Sequence, residues 1–199
     1  MERVDREWRE PGPRPHPRPY FLFVGRLEPV KGIDELIALW PEVEEADLLV
    51  AGDGSLAGEL RAQAAGNPRI RFLGWVPQGG LGPFYRHAIA CLIPSRTFET
   101  FGMVAIEAYS RKTPIVARNL GALPELVGKG GGIVYETRAE LRAALARLAG
   151  TQDLRDELGE RGYRAFLRLW SREAHLAAYL GTIEKIREGR DTAGFDTTE

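Results

Sequence analysis

The chain has 199 residues and a formal charge of −1, with 44% hydrophobic and 28% charged residues. That composition fits one soluble domain with an adequate core and excludes a nucleic-acid binder built on a basic surface. No apolar run approaches the ~18 residues of a membrane span, and the polar start MERVDREWRE does not read as a signal peptide.

In EPGPRPHPRPY, proline stands at every second position from Pro11 to Pro19. Such a segment is neither helix nor central strand; it reads as an extended arm or linker, with a loose surface tail and a recognition role both open. Strands are then expected at YFLFV (20–24), ADLLVA (46–51), IRFLG (70–74), IACLI (89–93), PIVA (114–117) and GIVY (132–135). These runs are near-continuously apolar, as when both faces of a sheet are covered. Between them lie helical patterns. IDELIALW (33–40) puts Ile33, Leu36, Ile37 and Trp40 on one face, SLAGELRAQAA (55–65) does so more weakly, GMVAIEAYS (102–110) is a third, and LPELV (123–127) is a turn or two. Alternation with short links predicts βαβ units and a parallel sheet.

After residue 136 the strands stop. Thr137 and Glu140 form a capping box before LRAALARLAG, a second helix covers 153–170, and Ser171 N-caps a third. The polar end DTAGFDTTE reads as disordered. The single Cys91 sits inside the apolar run IACLI, which excludes an internal disulfide framework and points to a buried thiol in a reducing, cytoplasmic compartment.

A doubly wound sheet binds ligands outside the carboxyl ends of its strands, so the segments after each strand carry the functional reading. After the first come Gly25 and Arg26, then Lys31 and Gly32 at a helix start. Two cations beside a turn and a helix N-terminus suit a phosphate; a solvated Arg26 paired with Glu28 is the open alternative. After the second comes AGDG, whose spacing does not fit the dinucleotide fingerprint. Gly52 and Gly54 are read as turn glycines that let backbone approach a ligand, and Asp53 as a turn or cap residue. After the third, a Gly- and Pro-rich loop with Trp75 has no catalytic group and could hold a base edge by its backbone.

After the fourth strand comes RTFETFGMVAIEAYS. Gly102 and Met103 open a helix whose free N–H groups and dipole favour an anion. Glu107, two turns in, could accept two hydrogen bonds from vicinal hydroxyls, and Glu99 could meet a polar group in front of the helix. Each alone is more commonly a surface carboxylate, but two carboxylates flanking one anion-ready helix end point to a site. His16, His87 and His175 are far apart without metal-ligand spacing, and there is no G-x-S-x-G elbow or Walker loop.

Taken in order, GRLEPVKG (25–32), GDG (52–54), FLG (72–74), PSRTFETFGMVAIEA (94–108), PIV (114–116) and GALPE (121–125) resemble the C-terminal half of the group 1 glycosyltransferases. These are retaining nucleotide-sugar transferases with the two-domain GT-B fold. The likeness covers residues 20–185, and Glu99-x7-Glu107 is its most diagnostic part. It implies an α/β fold, a Rossmann-like doubly wound sheet of about six strands with C-terminal helices. It also implies roles. Arg26 and Lys31, with Gly25 beside them, would bind the donor pyrophosphate and Glu107 the ribose hydroxyls. Glu99 would contact the transferred sugar. The Phe101-Gly102 turn and backbone N–H groups at Gly102, Met103 and Val104 would hold phosphate and sugar, and Trp75 and Val76 would meet the base. Arg26, Lys31 and Glu99 would form the catalytic set, with no metal and no cofactor; the nucleoside diphosphate sugar is a substrate.

There are departures. The family often has Gly-Gly where this chain has Gly121-Ala122, and a small residue followed by Gly where it has Arg111-Lys112-Thr113. The larger departure is the absent N-terminal half, which holds the acceptor. RVDREWREP, with Val4, Asp5, Trp8 and Pro11, resembles the segment joining the two halves. Residues 1–19 are therefore expected to be a linker remnant, 20–188 the nucleotide-sugar-binding domain and 189–199 a tail. The missing half would lie on the same full-length chain, cut here, or on a separate subunit, and could place the enzyme at a membrane surface. A non-catalytic nucleotide-sugar-binding module and a sugar-nucleotide epimerase-like domain are the competing readings.

Overall fold

The computed structural model describes residues 13–99 and 101–187. Six parallel strands form one sheet in the order β3-β2-β1-β4-β5-β6: β1 Tyr20–Val24, β2 Asp47–Ala51, β3 Ile70–Gly74, β4 Cys91–Ile93, β5 Ile115–Arg118 and β6 Gly132–Tyr135. The period of two along each strand divides its side chains between two layers. Phe21, Phe23, Leu48, Val50, Leu92 and Val116 enter one core with α1 Ile33–Leu39, α2 Ala57–Gln63 and α6 Arg138–Gly150. Tyr20, Leu22, Leu49, Cys91, Ile115 and Ala117 enter the other with α3 Gly82–Arg86, α4 Met103–Ser110 and α5 Leu123–Lys129. Cys91 is fully buried there as a free thiol, and burial pushes its pKa above the usual range.

The chain winds outward from β1 to β3, returns to the middle at β4, and winds outward again to β6. The strand order therefore reverses between β1 and β4, and the loops after these two strands face each other at the switch point.

Strands β1, β3 and β6 keep the expected bounds. β4 is shorter, because its expected first residues already bond β1 from outside the ladder, Ile89 N to Tyr20 O at 2.8 Å and Leu22 N to Ala90 O at 3.0 Å. The loop expected after β3 contains α3, which has five residues and so carries no readable period.

Beyond the sheet, the Thr137–Glu140 capping box starts α6. α7, Gln152–Ala165, runs into a π turn at Phe166–Trp170. Ser171 Oγ accepts from Ala174 N at 3.1 Å at the head of α8, Arg172–Arg187. Among the described residues, no helix is long and apolar enough to cross a membrane.

The described part of the proline arm is fastened to the sheet. His16 Nε2 lies 2.7 Å from Asp47 Oδ2, Arg18 Nε donates to Asp47 Oδ1 at 3.0 Å, and Asp47 N donates to Pro19 O at 2.9 Å. Asp47 is buried at the start of β2, the end of the sheet away from the switch point. The junction-like residues Val4, Asp5, Trp8 and Pro11, and the C-terminal tail, lie outside the described residues.

Candidate functional site

The loop after β1 turns at Gly25, whose N–H donates to Ala51 O at 3.0 Å. Arg26 is exposed and lines a cleft of about 280 Å³ with Gly25, Gly52, Asp53, Trp75 and Val76, where the carboxyl ends of β1, β2 and β3 meet. Trp75 is 73% exposed at its edge. Thus Arg26 and the expected base-contacting pair share one surface. Glu28, the open partner for Arg26, instead accepts from Ser55 Oγ at 2.6 Å and Ser55 N at 3.1 Å. These bonds, ahead of the Arg26 charge, hold its carboxyl below the usual range.

The reading of Gly52 and Gly54 changes. A Cβ on Gly52 would stand 1.8 Å from Gly25 O, and one on Gly54 2.7 Å from Leu27 O. The close approach these glycines permit is to the β1 loop, so they seat Arg26. Asp53 Oδ1 accepts from Gly54 N at 2.9 Å, the turn role expected of it.

Lys31 ends a short turn, and Gly32, at φ 68, starts α1. Across the switch point, Lys31 Nζ lies 2.5 Å from Glu99 Oε1, and Ser95 Oγ donates to the same oxygen at 2.6 Å. Burial pushes the Glu99 carboxyl up, but the Lys31 and Ser95 hydrogen bonds together outweigh it and leave it below the usual range. The two loops are also joined by Arg96 N to Val30 O at 2.8 Å, and Arg96 pairs with Asp34 of α1 at 2.8 Å. Behind them, Arg118 pairs with Glu35 of α1, lies 5.2 Å from the centre of the Tyr135 ring, and donates to Pro94 O at 3.4 Å. Lys31 is thereby held by a helix that is itself pinned to β5 and β6.

Gly102, at φ 65, caps α4. A side chain there would strain the left-handed backbone, and its Cβ would stand 2.4 Å from Leu126. Helix geometry leaves the first amides of α4, those of Met103 and Val104, without intrahelical acceptors. They face the same switch point as Glu99. Phe101 is exposed but turns elsewhere, lining a cavity of about 290 Å³ with Ala122, Glu125, Leu126 and Trp170. Of the expected donor contacts, Gly25, Arg26, Trp75 and Val76 line the cleft after β1 and Phe101 lines this second cavity, while Lys31, Glu99, Gly102, Met103, Val104 and Glu107 line neither.

Glu107, one face further along α4, is held from two sides. Tyr85 Oη donates to Oε2 at 2.7 Å and Gln78 Nε2 to Oε1 at 3.2 Å. Burial first, then the Cys91 and Glu107 charges, push the Tyr85 phenol well above its usual range. Arg111 is buried close by, its pKa pushed down to about 10 by burial and by Arg86, with Glu107 opposing. The departure at 111–113 therefore has a place. Arg111 packs under Gly82, Thr113 Oγ1 donates to Tyr85 O at 2.7 Å, and Lys112 occupies a left-handed turn at φ 58. That backbone state is one that glycine adopts without steric cost.

Tyr85, Gln78, Ser95 and Arg118 were not reached from the sequence. Ser95 lies inside the motif, four residues before Glu99, but the others meet their partners only through the fold. Among the described residues, no cluster of three or more His, Cys, Asp or Glu side chains could hold a metal ion.

Residues 4–165 match the family model for glycosyl transferases group 1. The chain belongs to that family. It is 34% identical over 189 residues to D-inositol 3-phosphate glycosyltransferase 2 of Catenulispora acidiphila, covering 83% of this chain and 44% of the relative. Among solved structures, sucrose-phosphate synthase from Thermosynechococcus elongatus superimposes with a TM-score of 0.75 at 26% identity, over 87% of this chain and 46% of that one. Anabaena HepE, solved in complex with UDP and glucose, gives a TM-score of 0.74 over 84% of this chain and 48% of that one; at 19% identity the likeness is one of fold. The chain therefore spans less than half the length of these proteins. The sheet of this group 1 glycosyltransferase is one half of a GT-B fold.

Proposed function

We propose that the chain is the donor-binding half of a retaining glycosyltransferase that moves a sugar from a nucleoside diphosphate to an acceptor hydroxyl. The observation that carries this reading is the 2.5 Å contact between Lys31 and Glu99 in front of α4. In a nucleotide-sugar, one oxygen joins the sugar's anomeric carbon to the outer phosphate. A cation for that phosphate and a carboxylate for that sugar must then be neighbours, and these two are. Arg26 lies toward Trp75 and Val76, the side assigned to the inner phosphate and base.

As the anomeric carbon–oxygen bond breaks, charge grows on the departing diphosphate. Arg26, Lys31 and the α4 amides stabilise it, the kind of preorganised electrostatics that usually lowers such barriers most. Glu99 keeps the sugar in place for the acceptor. The acceptor is held by a second α/β half, on the same polypeptide or on a separate chain; its hydroxyl oxygen forms the new bond to the anomeric carbon and its proton passes to the departing diphosphate. Alone, this half transfers no sugar, since positioning and exclusion of water need both sides of the cleft.

Calorimetry tests the reading. With UDP, ADP and GDP, Arg26→Ala or Lys31→Ala weakens binding of the preferred diphosphate about 10- to 150-fold, the range of one charge-assisted hydrogen bond. Binding of the bare nucleoside stays near wild type. Equal losses for both, or sugar transfer by this chain alone, would contradict it.

A further inference from the structure

We infer that Tyr85 is a positioning residue for Glu107, and that the chain's discrimination between ribose and deoxyribose is set through this buried phenol. The inference rests on the reading of Glu107 as the ribose contact. Tyr85 is 2% exposed and sits in the core beneath α4, so its hydroxyl has a fixed place. Its backbone is held as well, by Thr113 Oγ1 at 2.7 Å. The phenol stays protonated at any ordinary pH, because burial keeps its pKa high. Its one proton therefore always points at Glu107 Oε2, 2.7 Å away.

The division of hydrogen bonds matters. Tyr85 occupies one position on Oε2, and Gln78, at 3.2 Å, one on Oε1. An ionised carboxylate has about four acceptor positions, so these two bonds leave one position on each oxygen for a ligand. Two acceptors side by side are what a vicinal pair of hydroxyls requires. A glutamate without the phenol would sample other rotamers and bind the diol at an entropic cost. Gln78 follows Trp75 and Val76 in the chain, so the same carboxylate also ties the base-side loop to α4.

The test uses three variants and one ribo/dideoxy ligand pair. Wild type is titrated with UDP, ADP and GDP, then with the 2′,3′-dideoxy form of whichever binds most tightly. Glu107→Ala should bring the ribo/dideoxy affinity ratio close to one; an unchanged ratio sinks the ribose reading itself. Tyr85→Phe removes only the hydroxyl. It should lower the ratio about tenfold or more, the range of a hydrogen bond to a charged group, while dideoxy affinity stays at the wild-type value. Parallel loss of both affinities would mark Tyr85 as merely structural and overturn the inference, as would an unchanged ratio when Glu107→Ala has lowered it. Gln78→Ala, at an exposed position, serves if Tyr85→Phe does not fold. It should lower the ratio in the same sense by a smaller factor, and no change there overturns the inference too.

Discussion

Lys31 and Glu99, 68 residues apart in sequence, meet at 2.5 Å and join the loop after β1 to the loop after β4. Each is about one-fifth exposed, so neither charge is fully solvated. Removing one partner leaves the other facing the donor uncompensated. Lys31→Ala should weaken diphosphate binding more than the double change Lys31→Ala/Glu99→Ala, because a lone Glu99 repels the phosphates. Restoring about tenfold in affinity with the second change is the expected scale for a removed like charge. Additive losses in the double-mutant cycle would mean that the pair does not act as a unit.

The same contact makes stability depend on pH. The folded Glu99 carboxyl titrates below its ordinary value, as Lys31 and Ser95 outweigh burial. A depressed carboxyl contributes stability that is fully present above the unfolded pKa, about 4.3. That contribution is lost as pH falls through the folded value. Urea midpoints of wild type and Glu99→Gln should therefore differ at pH 6 and converge as the pH drops below about 4. A gap that widens toward acid would reverse the assigned direction.

Lys112 holds φ 58, in the left-handed region that favours glycine. Its side chain pairs with Glu160 at 2.6 Å and lies 5.0 Å from the centre of the Tyr163 ring. Lys112→Gly and Lys112→Ala lose both contacts equally and differ only in backbone preference. The glycine variant should be the more stable by about 1 kcal/mol, the reverse of the usual order in regular structure. That is a melting difference of about 2–4 °C for a chain of this size. Equal melting points would show that the turn relaxes without strain.

Much of the fold is legible because the strands are near-continuously apolar and short, with helical periods between them. YFLFV and GIVY are apolar throughout and keep their expected bounds. The capping box at Thr137 and Glu140 and the cap at Ser171 are equally local signals and appear as expected. Within the site, the two glutamates and two cations are singled out by their order in the motifs that resemble the family. Their partners are not. Tyr85 reaches Glu107 across 22 residues, through a five-residue helix too short to show a period, and Arg118 reaches Glu35 across 83. Such distances are set by how strands are ordered in the sheet, which no window along the chain contains. The glycines of AGDG are legible as turn residues, but not that they pack on the β1 loop.

Asp47 is the anchor of the proline arm. It is buried and accepts from both His16 and Arg18. Asp47→Ala should lower stability by about 2–3 kcal/mol, since charge-assisted bonds are lost and their donors left behind. The urea midpoint should fall with an unchanged slope. Limited proteolysis with a prolyl endopeptidase should then cut within residues 13–19 faster than in wild type. A neutral substitution would mean the arm adds nothing to the folded domain.

The most direct measurement compares the two glutamates by ligand. Melting temperature is recorded with UDP and UDP-glucose, or with the corresponding ADP or GDP pair if those bind more tightly. Ligand at tenfold over Kd stabilises by about 1.4 kcal/mol, a shift of roughly 3–6 °C. Glu107→Ala should shrink the shift for both ligands. Glu99→Ala should leave the diphosphate shift at least as large as wild type and remove only the extra shift contributed by the sugar. Loss of the diphosphate shift in Glu99→Ala with an intact shift in Glu107→Ala would contradict the account, because the donor would then lie across α4 in the opposite direction.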